Sequence, residues 1–280
     1  MNLYLQGLQA DRNTVERIAV LAGAHHLTET GIHTFRCERV SVSPAAKTEI
    51  EAICAAAQLD CTLWPGNKHL SDFKLLAMDM DSTLITIECI DEIADMQGLK
   101  AEVSEITEAA MRGEIEFTES LTRRVALLQG LDASALQRVF DERVELSPGA
   151  LPMLEAVKAA GLKTLLVSGG FTFFTERLQS RLGLDYSHAN RLEVVDGKLT
   201  GKVIGTVVDA EEKKRKLEQV CAELGIAPSQ AIAMGDGAND LQMMGVAGLS
   251  LAFRAKPAVR AHADVALNFV GLDGLLSFLK

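Results

Sequence analysis

Basic residues are scarce in this 280-residue chain: 28 Lys and Arg stand against 38 Asp and Glu, a formal charge of -10 at pH 7. That balance excludes a general polyanion binder, which needs clustered Lys and Arg. It leaves open an anionic small molecule held at one local site. No apolar run approaches the ~18 residues of a membrane span. The least polar stretch, residues 243–253, is too short and contains two glycines and a serine. Residues 1–6 show no basic segment ahead of an apolar one, so no signal peptide is expected. The five cysteines, at 37, 54, 61, 89 and 221, form no CxxC pair. They fit reduced thiols in a cytoplasmic protein, and neither a disulfide scaffold nor a structural zinc site. None of the six histidines has a metal or triad spacing, and the chain has no internal repeat.

What remains is ordinary globular composition, 48% apolar and 24% charged, at a length that allows one large domain or two smaller ones. Trp64-Pro65-Gly66-Asn67-Lys68-His69 is the clearest boundary, because Pro and Gly stop regular elements. Residues 1–70 read as a small α+β unit of order βαββαβ, a ferredoxin-like pattern. Asn13 with Glu16 three residues on suggests a helix cap there, Gly31 a turn between two strands, and Ser43-Pro44 the start of a second helix. Residues 71–280 alternate short apolar strands (74–78, 164–167, 231–234, 249–253, 265–267) with amphipathic helices. That alternation predicts an α/β fold with a parallel sheet covered on both faces. A helical insert spans about 90–146, and Asp196-Gly197 marks a hairpin.

In such sheets ligands bind at the carboxyl ends of the strands. After the first strand comes Asp79-Met80-Asp81, two acids placed two apart, which extended backbone directs to one side. Paired carboxylates there are tolerable around a cation or with one protonated; a plain polar turn is the alternative. After the second comes Ser168-Gly169-Gly170 ahead of a helix, which suits an oxyanion or an ordinary strand-to-helix turn. After the third comes Gly235-Asp236-Gly237-Ala238-Asn239-Asp240, a hard-oxygen set suited to Mg²⁺. The run 211–216 (EEKKRK) is mostly a solvated helix face, with one lysine able to reach the site as counter-charge. Together these elements specify phosphate, Mg²⁺ and a nucleophile.

These residues resemble the haloacid dehalogenase superfamily, whose first motif is DxDx(T/V). Within it they resemble the phosphoserine phosphatases. The likeness covers about 72–275. It includes 79–84 (DMDSTL), 88–94 (ECIDEIA), 167–171 (VSGGF), 189–192 (ANRL) and 235–240 (GDGAND). It implies a Rossmann-like core with a helical cap inserted at about 90–146 and a Mg²⁺-dependent hydrolysis of O-phospho-L-serine, the last step of serine synthesis. Asp79 would be the nucleophile, and Asp81 the acid and then the base. Mg²⁺ would sit on the Asp79 carboxylate, the Asp81 carbonyl and Asp236, with Asp240 behind them. Ser168, the Gly169 N–H, Lys213 and Asn239 would hold phosphate. Lys213 is chosen by its spacing to Leu217, with Lys214 and Lys216 left open. Glu88 would pair with the substrate ammonium and Arg124 with its carboxylate; Met111 and Phe117 would line an apolar wall or simply form cap core. The first 70 residues resemble ACT-like regulatory domains, which implies amino-acid sensing or dimerisation, with a purely structural appendage as the alternative. Two competing functions are action on another small phosphomonoester, by hydrolysis or phosphoryl transfer, and a regulatory amino-acid-binding role.

Overall fold

A computed structural model describes residues 1–111 and 114–279, and of Met111 the backbone only. The N-terminal unit runs β1 (Asn2–Gly7), α1 (Arg12–Leu21), β2 (His26–Gly31), β3 (Thr34–Glu38), α2 (Pro44–Ala56) and β4 (Leu59–Trp64). Its strands form an antiparallel sheet in the order β2-β3-β1-β4, so the expected element order is present. Strand alternation sorts its side chains. Leu3 and Leu5 of β1 pack with Val15, Ile18, Ile50 and Cys54 of the two helices, while Tyr4 faces the other way and joins the core of the following unit. Two local expectations are corrected. The cap of α1 is Asp11, not Asn13: Asp11 Oδ2 accepts from the Thr14 N–H at 3.0 Å, and Glu16 pairs with Arg12 instead of closing a capping box. The β2–β3 turn falls at Ile32-His33, because Gly31 still pairs with Thr34. Ser43 does cap α2, accepting from the Ala46 N–H.

The rest of the chain runs β5 (Leu75–Met78), α3 (Cys89–Asp95), α4 (Lys100–Met111), α5 (Phe117–Ala126), α6 (Ser134–Arg143), α7 (Ala150–Ala159), β6 (Lys163–Phe171), α8 (Thr172–Leu182), β7 (Tyr186–Val195), β8 (Lys198–Ile204), α9 (Ala210–Leu224), β9 (Ala231–Gly235), α10 (Leu241–Val246), β10 (Leu249–Phe253), α11 (Pro257–Arg260) and β11 (Val265–Leu267). A seven-stranded sheet has the order β11-β10-β9-β5-β6-β7-β8, parallel except for β8. β5, β9 and β10 are buried along their whole length, as unbroken apolar strands covered by helices on both faces should be. The first strand, β5, lies between β6 and β9, so the chain leaves it in opposite directions. That is the topological switch point at which a cleft opens.

The hairpin has a second duty the sequence did not disclose. β7 pairs with β6 over Tyr186–Asn190 before it turns back as a hairpin strand through Asp196 and Gly197, both at positive φ. β8 then braces the helical insert: Gly130 N–H donates to the Leu199 carbonyl, and Leu199 N–H to the Leu131 carbonyl, each at 2.8 Å. Among the described residues no helix is long and apolar enough to cross a membrane.

The two units share a buried seam. Trp64 and Tyr4 pack on Phe278, with ring centroids 5.8 and 6.2 Å apart. Beside them Asp60 of β4 is 1% exposed. Its Oδ1 accepts from the Asn268 backbone N–H (2.7 Å) and side-chain amide (3.2 Å). Its Oδ2 accepts from the N–H groups of Phe269 (2.9 Å) and Val270 (3.1 Å). Four donors fill the acceptor sites of one carboxylate.

Candidate active site

Three strand ends converge at the switch point. Asp79 follows β5 in extended backbone (ψ 162°), its N–H donating to the Met234 carbonyl of β9. Met80 turns into the core and is fully buried. Asp79 and Asp81 therefore open into the same cavity, as their spacing predicts. The turn closes at Ser82, which takes a positive φ of 55°. Asp81 Oδ1 accepts from the Cys89 N–H at 3.2 Å, at the start of α3.

β6 bulges at its end: Ser168 pairs with Ala189 and Phe171 with Asn190, leaving Gly169 and Gly170 out of the ladder. Ser168 Oγ accepts from the Gly170 N–H at 2.8 Å. Gly170 has no room for a side chain, since a β-carbon would stand 2.6 Å from Asp81 Oδ2 and 2.9 Å from Met80 Cε. The Phe117 ring, at the start of α5, lies against Gly169, so the helical insert touches this loop. At the end of β9, Gly235 yields its side-chain space to the Asp240 carboxylate.

α9, capped by Asp209 accepting from the Glu212 N–H, carries Lys213 into the interior. Lys213 is fully buried. Its Nζ lies 2.9 Å from Asp79 Oδ1 and 2.7 Å from Asp240 Oδ1. Lys214 pairs with Glu218, and Lys216 bonds Gln219. Of the three lysines considered, Lys213 alone has its ammonium on these carboxylates. Burial opposes its charge, and Asp240 and Asp79 outweigh burial, raising its pKa above the usual lysine range.

Carboxylate oxygens of Asp79, Asp236 and Asp240 lie within 4.8 Å of one another. Asp81 is outside this cluster by its side chain. Burial, then Asp240, push Asp79 well above the ordinary carboxylate range, with Lys213 opposing. Asp236 is pushed to about 7 by burial, then by Asp240 and Glu88, although Thr83 Oγ1 donates to it at 3.1 Å. Asp81 is raised to about 6 by burial, with the Cys89 hydrogen bond opposing. One lysine does not balance three crowded acids; a hard divalent cation would, so this donor set fits one.

The opposite wall comes from the helical insert. Glu88, Asp91, Phe117, Ser120 and Arg124 line the same cavity, about 950 Å³, as Asp79, Asp81, Ser168, Gly169, Asp236 and Asn239. Glu88 opens to this cavity with protein around it and accepts from Ser82 Oγ at 2.6 Å. Burial and then Asp81 raise it to about 7. Burial lowers Arg124, while Asp91 and Glu88 hold it charged. Met111's side chain lies outside the described residues. Asp91 and Ser120 also face this cavity, with no role evident from the sequence. Asp91 Oδ1 and Ser120 Oγ are buried and have no hydrogen-bond partner among the described residues. Nor does the sequence mark Thr83 as the donor to Asp236. Thr83 fills the last position of the DxDx(T/V) motif, but a position that also admits valine does not announce a hydroxyl donor.

A family model for haloacid dehalogenase-like hydrolases matches residues 76–245, which run from β5 through the Asp240 loop. The chain belongs to the haloacid dehalogenase-like hydrolase family. Phosphatases of this family are generally metal dependent, in keeping with the acidic cluster. The phosphoserine phosphatase of Polaromonas sp. (strain JS666) is 59% identical over 216 residues, which cover 75% of this chain and 92% of that protein. A crystal structure of a haloacid dehalogenase family hydrolase from Salmonella enterica serovar Typhi superposes with a TM-score of 0.90 at 33% identity, covering 100% of this chain and 98% of that one. The unliganded crystal structure of a probable phosphoserine phosphatase from Vibrio cholerae gives 0.84 at 36% identity, over 99% of this chain and 86% of that one.

Proposed function

We propose that this phosphatase hydrolyses O-phospho-L-serine to L-serine and phosphate through an aspartyl-phosphate on Asp79. The observation that carries the substrate is the pairing of walls in one cavity: Asp79, Asp81 and the Ser168–Gly170 loop on one side, Glu88 and Arg124 on the other. Phosphoserine bears a phosphate, an ammonium and a carboxylate, and those walls offer a partner for each. Phe117 would close the apolar flank.

Asp79 attacks phosphorus while Lys213 holds its carboxylate in place. Asp81, raised to about 6, gives a proton to the departing seryl oxygen. It then takes one from the water that opens the aspartyl-phosphate; a pKa near the working pH serves both steps. Ser168, the Gly169 N–H, Lys213 and Asn239 hold the phosphoryl oxygens. Asp79, the Asp81 carbonyl and Asp236 would hold Mg²⁺, which when bound neutralises phosphoryl charge and aligns the group. Asp240 stays behind them, because Lys213 takes one of its oxygens and the Gly237 N–H the other.

The proposal extends to residues 1–70 as an ACT-like accessory domain beside a phosphatase domain of 71–280, in a cytoplasmic protein. β2 is an edge strand of the small sheet, which supports dimerisation through this unit. Light scattering of the full chain at a single molecular mass matching a monomer counts against that pairing. The substrate is tested by phosphate release from a panel of phosphomonoesters, with and without EDTA. Preference for O-phospho-L-serine, abolished by EDTA and restored by Mg²⁺, is expected. Equal or better turnover of esters lacking the ammonium and carboxylate would overturn it.

A further inference from the structure

The bulge that forms the Ser168–Gly170 loop removes Gly169 from the β6–β7 ladder, so its carbonyl needs a partner from elsewhere. Asn190 of β7, 1% exposed, supplies one. Its Nδ2 donates to the Gly169 carbonyl at 2.7 Å, and its Oδ1 accepts from the Val208 N–H at 2.8 Å. Because one partner is a carbonyl and the other an N–H, only one orientation of the amide satisfies both. Val208 directly precedes Asp209, the cap of the helix that delivers Lys213. One buried side chain therefore ties the glycine loop to the root of α9.

We infer that Asn190 is a positioning residue for phosphate binding: its amide fixes the Gly169 peptide plane and spaces that loop from the helix carrying Lys213. The inference rests on the reading of Ser168–Gly170 as the phosphate loop. An amide is the suited group because it carries a donor and an acceptor on one rigid plane. Aspartate keeps the acceptor for Val208 but, when ionised, sets a negative oxygen against the Gly169 carbonyl. Protonated, it is close to an isostere of asparagine and can donate again.

The test uses the full chain as wild type, Asn190→Asp, Asn190→Ala and Ser168→Ala. It reads the inhibition constant of inorganic phosphate, KM and kcat for O-phospho-L-serine, and the unfolding midpoint, at about pH 8.5 and about pH 5.5, well above and close to the carboxylate range. Asn190→Asp is expected to weaken phosphate inhibition and raise KM by roughly tenfold at the higher pH. Relative to wild type, that deficit should shrink to within about threefold at the lower pH as the carboxyl regains its proton. Asn190→Ala should show the deficit at both. Either of two results overturns the inference: phosphate inhibition and KM near wild type in a folded variant, or losses in both variants that follow the unfolding midpoint and ignore pH. Should the aspartate variant not fold, the alanine variant decides by the same comparison of phosphate inhibition against midpoint. Normal phosphate inhibition in Ser168→Ala would instead remove the underlying reading of the loop, a failure visible separately from that of Asn190.

Discussion

Asp60 at the seam and Asp79 in the cleft are both buried carboxylates, and they are handled in opposite ways. At the seam, Asp60 is surrounded by four N–H donors. Burial still raises its pKa, while the hydrogen bonds from Asn268, Phe269 and Val270 favour the charge. In the cleft, Asp79 has one buried lysine and two acidic neighbours that push its pKa further in the direction burial does. A fully donated carboxylate is a fastener, because nothing remains for it to bind. A crowded carboxylate holds unspent attraction for a cation, a proton or a phosphorus atom. The contrast explains why one acid joins two units while the others converge on a cavity.

The sharpest way to break this comparison is to neutralise one acid at each place. Asp79→Asn should lose roughly 10⁴-fold in kcat, because an amide is not a nucleophile here. Its unfolding midpoint in EDTA should stay level or rise, since one charge leaves a repulsive cluster and Lys213 keeps Asp240. Asp60→Ala should do the reverse. Leaving three backbone N–H groups of 268–270 without their acceptor should cost about 3–5 kcal/mol in denaturant unfolding. Turnover of the folded fraction should change less than twofold. A large loss of kcat in a stable Asp60→Ala protein would erase the distinction.

Smaller effects sharpen the cleft side. Arg124→Gln should raise KM for O-phospho-L-serine by about 10–100-fold and barely alter turnover of an aryl phosphate without a carboxylate. Glu88, raised to about 7, must be ionised to meet an ammonium. Because the raised group takes its proton as pH falls through 7, KM for phosphoserine should climb about tenfold per unit below that point. A substrate without an ammonium should lack this rise once its own phosphate ionisation is allowed for. Smallest is the metal: Mg²⁺ at ten times its Kd should add about 1.4 kcal/mol to stability. Asp236→Asn should remove most of that gain while Asp60→Asn keeps it.

Much of the cleft was legible in the chain because its parts are local. Strand β5 is an apolar run, and Asp79, Ser168 and Asp236 each stand at the end of one. Position at a strand end and alternation in extended backbone then suffice to bring them together. Asp60 carried no such sign, since its partners lie about two hundred residues away at 268–270, and nothing within β4 marks an acid as buried. Asn190 stands in a segment, 189–192, noted only for its likeness to the phosphoserine phosphatases; its role depends on a bulge in the neighbouring strand that single-strand periodicity does not show. Asp91 stands in the 88–94 segment of the same likeness without a role of its own, because in a helix rich in acids a solvated face and a cavity wall have the same spacing. The register of the β2–β3 turn was decided by strand pairing rather than by its glycine.

The proposed aspartyl-phosphate on Asp79 is the step on which the roles of the other cleft residues depend. Rapid acid quench of the enzyme with phosphorus-labelled O-phospho-L-serine, followed by peptide mapping, tests it most directly. Label on the peptide that carries Asp79, present in Asp60→Asn and absent in Asp79→Asn, is the expected result. Label on another residue, or undiminished turnover by a folded Asp79→Asn protein in the same experiment, would contradict it.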